Sequence, residues 1–396
     1  MKSFSRLIDS SWRAIPILGF CQLLSWGAIF YTPVLIVPLL AEARGWSLTF
    51  AMGGFSAGIL AAGLCSPFVG KMIDLYGGHV VMPCGYLSGA LGLLGLAYAS
   101  HPATYFAIWL LLGAAMASTL YDPAFATLAR IFGHSARRAI TFLTFIGGFA
   151  STVSWPLTHF LIEMTGWRGT YQIYAALLAF VGAPLLAFAL PREHAAPEAL
   201  PESQVIPTQL RYFPAKGTPL LLVALAFALY AFVPAALSAH MLAIFSRSGI
   251  DASTVVLIGA LFGPSQVTAR FLEFAFARKQ HPLVIARGAM ALLMLACFLL
   301  LLLGVSVALA GAFAVLFGLS NGLMTIARGT VPLAVFGPSG YGLLLGRIAR
   351  PALFISGVAP LVLAFVAERF SDHVAVSLIA SFTVAAFLCF TLIRQP

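Results

Sequence analysis

Asp122, Arg270, Glu273 and Arg328 stand inside stretches that are otherwise apolar. A charge at membrane depth costs several kcal/mol unless it is paired or hydrated, so each is a candidate for binding, proton transfer or gating. Gln266, Arg270 and Glu273 are spaced i, i+4, i+7, as are Asn321, Thr325 and Arg328, so each triple occupies one stripe of a helix. With Phe132, Arg278 and Phe336 as helix ends, Asp122 lies ten residues in and the two arginines eight. At about 1.5 Å per residue, all three share a band roughly 12 to 15 Å deep. The planar guanidiniums of Arg270 and Arg328 suit a carboxylate, and Asp122 and Glu273 are the groups that could take up and release a proton. In span 1, Gln22, Ser25 and Trp26 form a similar patch. A second reading stays open: Arg270 pairs with Glu273 and Arg328 with Asp122, in packing or gating roles. Asp122 could also serve a kink at Pro123.

The surroundings of these residues define the class of protein. Of 396 residues, 61% are apolar and only 9% charged, against about 25% charged in soluble domains. That excludes soluble enzymes, nucleic-acid binders and secreted disulfide scaffolds. The five cysteines, Cys21, Cys65, Cys84, Cys297 and Cys389, lie in apolar runs without metal-like or disulfide-like spacing. Gly54-Phe55-Ser56-Ala57-Gly58 has the form of a nucleophile elbow, but it sits within a span rather than at a strand-to-helix turn. No metal cluster, phosphate loop or dinucleotide fingerprint is present, so neither a metal nor another cofactor is expected. Gly54/Gly58, Gly85/Gly89, Gly259/Gly263 and Gly318/Gly322 instead read as faces for close helix packing.

Apolar runs predict twelve spans: 14–41, 47–69, 80–99, 103–129, 139–163, 169–190, 219–245, 253–277, 283–303, 306–335, 341–366 and 373–393. The fold class is therefore an all-α membrane protein. Its expected organisation is an N-terminal six-helix bundle, 1–190, a proline-rich cytoplasmic linker, 191–218, and a C-terminal six-helix bundle, 219–396. With both termini cytoplasmic, 16 lysines and arginines fall inside and four outside, which sets the orientation. The first span is expected to be retained as a signal anchor. Phe132-Gly133-His134-Ser135 matches Phe336-Gly337-Pro338-Ser339 at an offset of 204, and Pro156 matches Pro360 at the same offset. Internal repeats of this kind place a substrate site near the midplane, between the halves.

The loop after span 2, Gly70-Lys71-Met72-Ile73-Asp74-Leu75-Tyr76-Gly77, has the pattern G-x-x-x-D-x-x-G and resembles the signature loop of the major facilitator superfamily. The resemblance implies two pseudo-symmetric six-helix bundles that rock about a central site, with spans 1, 4, 7 and 10 lining the cavity. It also implies a cytoplasmic gate made by Gly70, Asp74 and Gly77, in which the Asp74 carboxylate accepts hydrogen bonds from a helix N-terminus. Leu75, Gly78 and His79 replace basic residues usual in the family, which weakens the latch. Ser25-Trp26-Gly27 with Tyr31, Gly45-Trp46-Ser47, Gly166-Trp167-Arg168 and Arg137-Arg138 are similar to the monocarboxylate-transporter branch. In that branch a span-8 arginine engages the substrate carboxylate, and Arg270 is the matching position. An aspartate one turn earlier in those relatives is Gln266 here, which leaves the proton-coupling group open between Asp122 and Glu273.

The expected function is secondary active transport of a small organic anion, a monocarboxylate among the candidates, coupled to a proton. The expected substrate contacts are Arg270, Arg328, Gln266, Asn321, Thr325, Gln22, Trp26 and Tyr31. The alternative is an exporter of amphipathic drugs or metabolites. Trp109, where drug-proton antiporters carry an arginine, and the lack of their span-5 glycine motif count against it. An intramembrane enzyme would need a convergent nucleophile or metal site, and a receptor a signalling domain. Short loops suggest a monomer in a bacterial inner membrane, with no nucleic-acid partner.

Overall fold

The computed structural model describes residues 11–192, 212–277 and 279–394. Lys2, Arg6, Arg211 and Arg278, and residues 193–211 of the expected linker, lie outside the described residues. Among the described residues no strand forms. A hydrocarbon surround offers the backbone no hydrogen bonds, and a helix satisfies its own.

Among the described residues, eleven helical runs are long and apolar enough to cross a membrane. The fifth, Ala136–Ala189, has 54 residues, about 80 Å if straight, more than twice a hydrocarbon core of about 30 Å. Gly166 interrupts it at φ 68° and ψ 173°, a conformation that glycine adopts without the steric cost of a Cβ. Residues 136–165 and 167–189 are therefore separate helices, α5 and α6. The others are α1 (Ser11–Arg44), α2 (Leu48–Tyr76), α3 (Gly78–Tyr98) and α4 (Pro102–Phe132). After α6 come α7 (Gly217–Arg247), α8 (Ser253–Ala277), α9 (Pro282–Leu302), α10 (Val307–Phe336), α11 (Tyr341–Arg369) and α12 (Asp372–Leu392). Among the described residues twelve helices result, as the apolar runs predict.

By contact the chain divides into two compact units. The first holds residues 11–192 and 212–215 together with Pro332–Gly346, the end of α10 and the first turn of α11. Its α2 and α3 both pack along α4. Glycine makes this possible: a Cβ on Gly54 would strike Trp109, and one on Gly113 would strike the Gly58 carbonyl. The second unit holds Lys216–Val331 and Arg347–Arg394, with α12 packed against α7 and α9. There Arg287 donates to the carbonyls of Phe390 (3.0 Å) and Ile393 (2.8 Å) at the end of α12. At the other end of α12, Asp372 accepts two bonds from Arg247, at 2.9 and 2.6 Å.

The repeated motif has a repeated job. Gly133 ends α4 at φ 53° and Gly337 follows α10 at φ 79°, while Pro156 and Pro360 both lie inside helices.

Candidate functional site

In the second unit, α8 is broken between Ala260 and Phe262. Pro264 has no N–H to give the Ala260 carbonyl, which accounts for the break. The Gly318/Gly322 face of α10 lies on the following segment: a Cβ on Gly318 would come within 2.6 Å of the Ser265 side chain, and one on Gly322 within 2.9 Å of Ala269. This approach lets short polar side chains meet. Asn321 donates through Nδ2 to Gln266 Oε1 at 3.0 Å, and the Tyr230 hydroxyl of α7 donates to Asn321 Oδ1. Arg270 Nη2 donates to the same Gln266 oxygen at 3.4 Å.

Arg270 is 4% exposed, and its Nε and Nη1 are buried without a hydrogen-bond partner among the described residues. Whichever hydrogen Nη2 gives to Gln266, one two-donor edge of the guanidinium remains unsatisfied. Glu273 is also buried, at 2%, and begins a stretch of wider π-type turn, Glu273–Ala277. Thr325 Oγ1 donates back to the Asn321 carbonyl at 2.8 Å. Arg328 is half-buried.

In the first unit, Pro123 leaves the Thr119 carbonyl of α4 without its usual donor, and Leu120 is extended there (φ −81°, ψ −158°). Gln22 Nε2 donates to Thr119 O at 2.8 Å and to Leu120 O at 3.2 Å, and Ser25 Oγ to Thr119 O at 3.2 Å. Gln22 is fully buried and its Oε1 accepts from Trp26 Nε1 at 3.0 Å, so it mends α4 and orients the indole. Trp26 heads a π-type stretch, Trp26–Tyr31, and lies 4.8 Å from Phe30, 5.9 Å from Tyr31 and 5.2 Å from Tyr121, ring centre to ring centre. Asp122 lines a cavity of about 10 Å³ with Ser66, Ile73, Gly342 and Gly346, room for one water.

The turn between α2 and α3 adds a third cluster. Gly77 ends α2 at φ 80°, and Asp74 accepts from the backbone N–H groups of Gly342 and Leu343, both at 2.8 Å. These are among the four amides that the first turn of α11 cannot satisfy itself, and the positive end of its dipole favours a carboxylate there. Arg130 of α4 donates to the carbonyls of Ile73 and Asp74, holding the end of α2.

The structure thus brings Gln266, Arg270 and Asn321 together with Tyr230, puts Trp26 and Tyr31 in one aromatic group, and sets Gly70 and Asp74 against the start of α11. Sequence reasoning missed Tyr230 and Arg130. A lone phenol at depth in α7 was the available signal for the first; Arg130 was counted only as an orienting charge.

Comparisons with known proteins agree with this architecture. Residues 18–349 match the family model of the Major Facilitator Superfamily. No curated protein matches the chain in sequence. Among solved structures, the human organic anion transporter MFSD10 (TETRAN) superposes with a TM-score of 0.72 at 19% identity, over 97% of this chain and 100% of that one. The proton:xylose symporter XylE bound to 6-bromo-6-deoxy-D-glucose gives a TM-score of 0.69 at 13% identity, over 98% and 97%. FucP in its outward conformation gives 0.68 at 12% identity, over 98% and 100%.

Proposed function

Since the chain belongs to the major facilitator superfamily, a family of membrane transporters, we propose that it is a secondary active transporter of a small organic anion, a monocarboxylate by preference. Transport is by alternating access and coupled to a proton, in a bacterial inner membrane with both termini cytoplasmic. One observation carries the substrate class: among the described residues, Arg270 is buried with two nitrogens unpartnered, and its one hydrogen bond goes to a neutral amide. An uncompensated buried cation costs several kcal/mol. A carboxylate docking on the open edge offsets that cost with two charge-assisted hydrogen bonds.

In this reading Arg270 and Arg328 hold the anion, and Gln266, Asn321 and Thr325 form the polar wall beside them. Trp26 and Tyr31 contribute aromatic contacts, with Gln22 fixing the indole. Asp122 and Glu273 are the carboxylates assigned to proton coupling, and Gly70, Asp74 and Gly77 the cytoplasmic gate. The protein works as a monomer. The similar fold of an organic anion transporter agrees with the substrate class in kind.

Uptake of radiolabelled benzoate, a simple monocarboxylate, into proteoliposomes under an inward proton gradient tests the proposal. Arg270→Ala and Arg328→Ala are expected to abolish uptake in folded protein, and a protonophore to lower it in wild type. Normal benzoate uptake by both variants would end the anion reading. The aromatic group of Trp26, Phe30, Tyr31 and Tyr121 favours a second reading, export of amphipathic compounds; ethidium efflux from the same vesicles, unaffected by the arginine variants, is its signature.

A further inference from the structure

We propose that Tyr230 is the positioning residue for Arg270, acting through two side-chain amides in series. The inference rests on Arg270 as the anion contact and concerns what aims its guanidinium. Each amide has an accepting and a donating end, and which end faces a neighbour is set by the hydrogen bonds on offer. Tyr230 settles the first. Its side chain is buried, and its hydroxyl hydrogen is given to Asn321 Oδ1.

The consequence runs along the chain of bonds. With its oxygen engaged, Asn321 turns its nitrogen to Gln266 and donates to Oε1 at 3.0 Å. Gln266 must then present its oxygen on that side, and the same oxygen receives Arg270 Nη2 at 3.4 Å. The carbonyl dipole steers the guanidinium without neutralising it, because Gln266 carries no charge. An ionised carboxylate in that place would hold Arg270 more tightly and compete with an incoming anion until a proton neutralised it. The spacing of Gly318 and Gly322, which brings α10 onto α8, sets the distances the relay needs. α7 therefore takes part in the site through a bond that ends two residues short of the arginine.

Removing the Tyr230 hydroxyl frees Asn321 to turn over. Its oxygen then faces Gln266, and Gln266 answers by turning its NH2 group inward, placing a donor against the donors of Arg270. The guanidinium loses its acceptor and swings. Anion binding weakens, while the translocation step, which involves no Tyr230 contact with the anion, changes little.

The test uses full-length protein with ¹⁵N-labelled arginine. The Arg270 side-chain resonance is identified by its loss in Arg270→Lys. Tyr230→Phe is expected to displace that resonance with no anion present, and to raise the KM for benzoate about tenfold with the maximal rate within about twofold. Asn321→Leu breaks the relay one step later and should displace the resonance similarly, and in the double variant the resonance should move no further than in either single variant. An Arg270 resonance unmoved by Tyr230→Phe, or effects of the two variants that add, overturns the proposal. If wild type neither binds nor transports benzoate while Tyr230→Phe still displaces the resonance, the positioning role stands and the anion reading falls. The resonance and the KM split exclude a merely structural Tyr230, which would alter stability alone.

Discussion

Gly70 of α2 and Gly342 of α11 face each other with no side chain between them: a Cβ on either would strike the other's carbonyl oxygen. This bare contact lets Asp74, one turn on, reach two amides of the first turn of α11 at 2.8 Å each. Hydrogen bonds to a charged group are worth about 1.5–3 kcal/mol, and a methyl group at either glycine would put both bonds at risk. Gly342→Ala is expected to part the helices and lower uptake several-fold. Ser66 is 6% exposed beside the contact, and in a background without other cysteines Ser66→Cys should react with a maleimide at least about fivefold faster once Gly342→Ala is added. Unchanged labelling would mean the helices absorb the methyl group in place.

Gln266→Glu separates stability from function. The new carboxylate would stand where an amide oxygen now meets Arg270 Nη2 at 3.4 Å, giving the buried cation a counter-charge. Close charge pairs couple by about 1.5 kcal/mol or more, so the melting temperature should rise by a few degrees. Benzoate affinity should fall at least tenfold, roughly 1.4 kcal/mol, because the anion must displace an internal competitor. A destabilised variant that still transports would show that Arg270 does not need an anion.

The residues that were legible in the sequence are those whose cost is visible without a partner. Arg270 and Asp74 stand out because a charge in an apolar run, or an acid between two glycines, has few bland explanations. The Gly318/Gly322 face was legible for a similar reason, since it has no side chain to pack. Gln22 was not legible in detail: its role depends on Pro123 freeing the Thr119 carbonyl about a hundred residues away, and nothing in the sequence pairs the two. Tyr230 escaped because one hydroxyl among apolar neighbours carries no periodic signal, and its partner Asn321 is 91 positions distant. The break at Gly166 was placed correctly because span length alone demands a reversal there.

Arg287 offers a structural contrast to Arg270. It donates to the carbonyls of Phe390 and Ile393 at 3.0 and 2.8 Å, closing the end of α12. Arg287→Ala should lower unfolding stability by about 1–3 kcal/mol and leave the KM for benzoate within about twofold. Arg287→Lys should recover little of the loss, since a single ammonium cannot span two carbonyls as the planar fork does. Thermal melts and uptake on the same preparations decide it; a raised KM would place Arg287 in the transport path.

Asp251 predicts a local pH dependence in the loop before α8. Its Oδ2 accepts from Ser253 Oγ at 2.5 Å and from the Thr254 N–H at 2.9 Å, capping the helix. The Ser253 hydroxyl first, then the Thr254 amide, hold the carboxyl down to about 2, below the usual value of about 3.9. A depressed acid supports the folded arrangement above its unfolded pKa and loses that support as pH falls through its folded one. The cap should therefore be fully formed above pH of about 4 and fail toward pH 2. The Thr254 amide should exchange with solvent faster across that interval than its intrinsic chemistry requires. Asp251→Asn keeps a capping oxygen without a titrating group, so its exchange should follow the intrinsic curve throughout. If both proteins lose protection together below pH 4, the acid sensitivity belongs to another group and the cap is not its cause.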